Sequence, residues 1–193
     1  MIKLQANTAG YGGALRAMLL KLAAEFSKFP ATALPVSMYI AGGAALFLHV
    51  GERATEDVDA AFSRRILLEG PFNASYQDEY GQTRLVYLDR NYNDTLGLMH
   101  EDAQQDSIPV MVDGVDGKVL DVRVLTPTDL AVSKLSRFSE QDRDDIIQLA
   151  KRKLITSTAV KQRAQEALGG YVGNMEMVEH TVEIACRLIQ RHA

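Results

Sequence analysis

Cysteine is almost missing from this chain: Cys186 is the only one among 193 residues. That excludes a disulfide framework and a thiolate metal cage, and it fits a reducing cytoplasm, the compartment expected here. The four histidines, His49, His100, His180 and His192, are scattered without metal-ligand spacing. No apolar run approaches the roughly 20 residues of a membrane helix, and no N-terminal stretch reads as a secretion signal, so no membrane partner is expected. G-x-S-x-G and P-loop patterns are both missing. The net charge of −4 argues against a surface that coats nucleic acid, though a local basic patch remains compatible with it.

What is present is the ordinary balance of a globular protein, 47% apolar and 24% charged, enough to bury a core without staples. Leu15, Met18, Leu19, Leu22, Phe26 and Phe29 fall at helical spacing within residues 11–29, and Pro30 ends that helix. Strands are expected at 35–41, 57–62, 83–89, 108–112 and 118–125, with "DGVDG" turning the last two into a hairpin. "GAALFLHV" between the first two strands predicts a short buried helix. From Thr126, a natural N-cap followed by Pro127, the spacing predicts only helices, at 127–138, 141–152, 157–168 and 175–191, with Asn174 capping the last. The chain therefore reads as an α/β (α+β) core over 1–126, with its N-terminal helix, and an all-helical part over 127–193.

The chemistry concentrates in "YIAGGAALFLHVGERATEDVDAAF". Asp57 and Asp59 alternate on a strand and so share one face, with Val58 turned into the core. Two such carboxylates repel unless a cation sits between them, and Mg²⁺ suits hard oxygens shared with phosphates. Gly42 and Gly43 fall where a strand enters a helix, a place for an anion to meet backbone N–H groups without a Cβ in the way. Separately, each motif is ordinary: an exposed edge strand, and a tight turn. Together they set a phosphate cradle beside a metal-binding pair.

This block resembles the signature of the polymerase-beta-type nucleotidyltransferase superfamily, and Arg53 and Thr55 match the Arg-x-Thr lead-in of many small bacterial members. "LTPTDLAVSKLSRFSEQDRDDIIQLA" is similar to a second block of members related to type IV toxin–antitoxin and abortive-infection systems. The resemblance covers roughly residues 36–155. It implies a nucleotidyltransferase-like mixed sheet flanked by helices and transfer of a nucleoside monophosphate from an NTP to a hydroxyl. On that resemblance Asp57 and Asp59 hold one or two Mg²⁺ ions, and Gly42 and Gly43 cradle the phosphates. Asp121, an awkward charge inside the apolar strand "KVLDVRVL", is the expected third ligand, although pairing with Arg123 on a solvent face explains it too. Asp113 and Asp116 are weaker candidates, since aspartate is a good turn former.

Nucleotide contacts are expected from Arg53, Thr55, Lys134 and Asp145. Asp142 and Asp145, one helical turn apart, could orient Lys134 or Arg137 or simply make surface ion pairs with Arg143, and helix capping is sufficient for Asp129. The acceptor stays open among a tRNA end, a protein hydroxyl and a small molecule, with a cognate toxin or antitoxin as a further partner. A different class of reading is a nucleotidyltransferase-like fold without transfer, which binds a nucleotide or a partner protein.

Overall fold

The computed structural model describes residues 2–52, 54–92 and 97–193 of the chain. The chain divides into two compact units, one of Met1–Ala44, Arg53–Tyr92 and Ile108–Val124, the other of Ala45–Glu52, Asn93–Ser107 and Leu125–Ala193.

The first unit is built on a mixed sheet, seven-stranded among the described residues and ordered β1-β6-β7-β2-β3-β5-β4. The strands are β1 (Ile2–Leu4), β2 (Val36–Ile40), β3 (Asp57–Phe62), β4 (Asn73–Gln77), β5 (Thr83–Asp89), β6 (Ile108–Val112) and β7 (Leu120–Val124). β2 runs parallel to β7 and antiparallel to β3, and β3 runs parallel to β5. β6 and β7 form the expected antiparallel pair. Helix α1 (Gly10–Phe26) lies on β4 and β5. Of the stripe read from its sequence, Leu15, Met18, Leu19, Leu22 and Phe26 are fully buried, but the helix ends at Phe26 and leaves Phe29 half-buried beyond it. Each fully buried side chain contributes about 1.5–3 kcal/mol by leaving water.

Two strands have no sequence signal. β1 is three residues long and becomes a strand only by pairing with β6. β4, Asn-Ala-Ser-Tyr-Gln, lacks large apolar alternation and exists through its full register with β5, from Asn73 opposite Tyr87 to Gln77 opposite Thr83. Cross-strand bonding, not local propensity, makes both.

Helix α2 (Gly42–Val50) follows β2 directly. The second unit carries α3 (Pro127–Ser133), α4 (Glu140–Lys151), α5 (Ser157–Leu168) and α6 (Met175–His192). The side chains of Thr126 and Asn174 cap α3 and α6, accepting from Asp129 N and Met177 N. Expected to run to 138, α3 stops at Ser133. Its end tightens into i→i+3 bonds, Lys134 N to Ala131 O and Leu135 N to Val132 O, a common way to close a helix. Among the described residues no helix is long and apolar enough to cross a membrane.

Candidate active site

Because β2 and β3 run antiparallel, the end of β2 and the start of β3 meet at the same end of these two strands, and Ala41 N donates to Asp59 O at 2.9 Å. The chain then turns at Gly42, whose φ of +57° is a left-handed value that favours glycine. A Cβ there would run into the Asp59 carboxylate. One at Gly43 would stand 2.9 Å from the Thr55 Cβ and 3.0 Å from its Cγ2. The glycine pair thus leaves space for the site's own side chains. Asp59 and Thr55 pack on the first turn of α2, where helix N–H groups lack intrahelical acceptors and favour negative charge.

Asp57 is exposed, Asp59 half-buried and Val58 fully buried between them, the alternation read from the sequence. Thr55 Oγ1 donates to Asp57 Oδ1 at 2.5 Å. Gly42, Gly43, Thr55, Asp57 and Asp59 therefore form one connected group in the first unit. Arg53 lies outside the described residues.

Asp121 does not join them. It pairs in register with Ser37 on β2, four residues before Ala41, or about 13 Å along the strand. There its Oδ2 accepts from Ser37 Oγ at 3.2 Å and lies 3.7 Å from Arg123 Nη1, so pairing on that face suffices to explain it. Of the turn candidates, Asp113 accepts from Ala6 N and Asp116 from Lys118 N.

The carboxylate that the fold does set beside Asp59 is Asp89. β3 and β5 run parallel with Asp59 opposite Asp89 and Asp57 opposite Tyr87, and residues in register on neighbouring strands share a face. The sequence contained a clue, an aspartate closing the strand "TRLVYLD", but strand order alone makes it a neighbour. Asp89 Oδ1 accepts from Asn91 N at 2.8 Å. Among the described residues no three His, Cys, Asp or Glu side chains gather closely enough to hold a metal ion. The donor set on this face is the Asp57–Asp59 pair, with Asp89 in register beside Asp59.

Lys134 and Asp145 belong to the second unit, both nearly inaccessible to water. Lys134 Nζ lies 2.6 Å from Asp145 Oδ2 and 3.6 Å from Asp142 Oδ1. Arg137 grips Asp142 through Nε at 2.8 Å and Nη2 at 2.7 Å, and Ser139 donates both its N–H and Oγ to Asp142 in a capping box. The lysine ammonium is thus already neutralised by two carboxylates. A further ion pair went unread in the sequence: buried Asp129 accepts from Arg163 Nε at 2.7 Å, while Arg163 Nη2 reaches Asp106 at 2.7 Å. Residues so distant in the chain carry no local signal.

Burial would raise the Asp142 carboxyl, but Arg137, Ser139 and Lys134 outweigh it and hold the group well below its usual 3.8. With a folded pKa below the unfolded one, the unfolded chain binds more protons as the medium becomes acidic. The contribution is therefore whole above the ordinary carboxylate range and fades as pH falls through and below it. Asp142→Asn is expected to cost about 1.5–3 kcal/mol at pH 7, the worth of hydrogen bonds to a charged group. Urea unfolding of both proteins should show that gap shrink below about pH 4.

A strand entering a helix through two glycines, followed by a strand with two carboxylates on one face of a mixed sheet, places the protein in the nucleotidyltransferase-like class. The chain belongs to the family described as nucleotidyltransferase of unknown function (DUF6036), whose model matches residues 17–181. That match spans both the glycine–aspartate block and most of the helical part. No curated protein and no solved structure gives a significant match to the chain.

Proposed function

We propose that this protein is a Mg²⁺-dependent nucleotidyltransferase that moves a nucleoside monophosphate from an NTP to a hydroxyl acceptor. The observation that carries this reading is the approach of the Asp59 carboxylate to Gly42 on the first turn of α2. It brings an acidic strand and an anion-favouring helix start to one point. Mg²⁺ is commonly held by one or two carboxylates together with substrate phosphates, a requirement the Asp57–Asp59 pair fits. Bound there, the ion supplies neutralisation of the charge that develops on the phosphates. Thr55 holds Asp57 in orientation by its hydrogen bond, and the first turn of α2 binds phosphate oxygens through backbone N–H groups. Asp89, swung from its turn bond, is the third carboxylate. A role in bacterial defence or in a toxin–antitoxin pair rests on the resemblance of the helical block alone.

α-Labelled NTPs, Mg²⁺ and separate acceptor pools of tRNA, protein and small hydroxyl compounds test the reading. Label should reach one pool and vanish in Asp57→Ala and Asp59→Ala. Asp89→Asn should lower kcat/KM about 100-fold, whereas Asp121→Asn should stay within about twofold, the contrast between a group near the reacting phosphate and one about 13 Å away along β2. Transfer that survives both β3 substitutions would sink the site. Among the described residues no three carboxylates stand ready as a cluster, which is the observation behind one rival, a nucleotide-binding module without transfer. That rival predicts NTP stabilisation dependent on Asp57 with no labelled product in any pool.

A further inference from the structure

A cavity of about 280 Å³ opens in the first unit, lined in part by Thr55, Glu56, Tyr76, Asp78, Glu79 and Arg84. Strand register explains why it exists. β3 starts at Asp57, opposite Tyr87, so the first four residues of β5 and the hairpin to β4 overrun the start of β3 by about 13 Å. The overrunning hairpin walls off space beside residues 54–56. Thr55 is the shared wall: it touches the Gly43 position, donates to Asp57 and lines the cavity.

Among the described residues the charge of the lining is unequal, three carboxylates against one guanidinium, that of Arg84. Asp78 and Arg84 cancel, joined at 2.9 Å, and Asp78 also accepts from the backbone N–H groups of Tyr80 and Gln82. Those bonds hold its carboxyl below the usual range, the Arg84 hydrogen bond being the largest cause. Glu56 and Glu79 are left as surplus negative charge, both exposed. Two aromatic rings complete the lining. Tyr76 stands edge-on to Tyr11 at 5.9 Å between centroids, and Tyr80 is 78% exposed. Anionic groups beside aromatic faces suit an organic cation.

Resting on the transferase reading above, we propose that this cavity is the acceptor subsite and takes a small polycationic hydroxyl compound of the amino-sugar class. Its volume of about 280 Å³ falls just below the usual range of ligand sites and so limits the acceptor to a small one, and its surplus negative charge disfavours a polyanionic RNA end. The acceptor oxygen bonds to the α phosphorus as the bond from that phosphorus to the β-bridging oxygen breaks. The electron pair leaves on pyrophosphate, and the hydroxyl proton passes to a carboxylate of the Asp57 face.

Neamine, its per-N-acetylated form, a basic serine-containing peptide and tRNA are each incubated with the full chain, Mg²⁺ and labelled NTP. Neamine should be labelled and its acetylated form not. The Glu56→Gln/Glu79→Gln variant should raise KM for neamine about fivefold to tenfold, the worth of two screened charge pairs, without moving KM for the NTP. Equal labelling of the acetylated form, preference for peptide or tRNA, or an unmoved KM overturns the proposal. Thermal shift with NTP and Mg²⁺ separates the two levels. A shift lost in Asp57→Ala, with neamine unlabelled, defeats the acceptor assignment alone. No NTP shift in the wild type defeats the transferase reading and this proposal with it.

Discussion

Gly42→Ala is expected to abolish nucleotidyl transfer as completely as Asp59→Ala, a loss of at least about 100-fold in kcat/KM by comparison with displaced metal ligands. Two effects combine. Alanine at φ +57° is strained, which costs about 1–3 kcal/mol at such a position. In addition, its methyl group would occupy the place of the Asp59 carboxylate, so that carboxylate must leave the first turn of α2. Gly51 provides the control: its φ is +79°, but a Cβ there meets nothing within 4 Å. Gly51→Ala should therefore lose stability on the scale of backbone strain and keep its kcat/KM. Steady-state kinetics on both variants, with denaturant unfolding beside them, isolate the effect of close approach. Equal activity in the two variants would mean that the Gly42–Asp59 contact is irrelevant to chemistry.

The second large effect is on stability. Lys134→Met should destabilise the protein by about 3–5 kcal/mol, because it takes the Lys134 ammonium away from the buried Asp145 carboxylate. Pairing it with Asp145→Leu should recover much of that loss, since removing both charges also removes the desolvation cost that the pair had to offset. Denaturant unfolding of the two single variants and the double variant gives the coupling directly. The same proteins test the phosphate role expected for Lys134. Tenfold weaker NTP binding by Lys134→Met, measured where the variant is still folded, would restore that role. Unchanged affinity leaves the lysine as a tie between α3 and α4.

Much of the architecture was readable because its signals are local. The α1 stripe repeats at 3.6 residues, Thr126 and Asn174 stand where a cap must accept from the backbone, and β3, β5 and β6 have the bounds their sequence pattern predicts. What went unread has no local signal. β4 is defined by its partner, and Asp89 and Asp121 look alike in sequence, each an aspartate on an apolar strand.

The sequence by itself determined that Asp57 and Asp59 face one way, since successive strand residues alternate whatever surrounds them. It also determined that a glycine pair opens the helix before them. Only the tertiary structure decided which third acid stands near: Asp89, opposite Asp59, while Asp121 lies four residues down β2. Likewise only packing revealed that Gly42 makes room for a carboxylate of its own chain. The reason is that periodicity sets the direction of a side chain, whereas its neighbours follow from strand order and register, which are fixed by contacts between segments far apart in the chain.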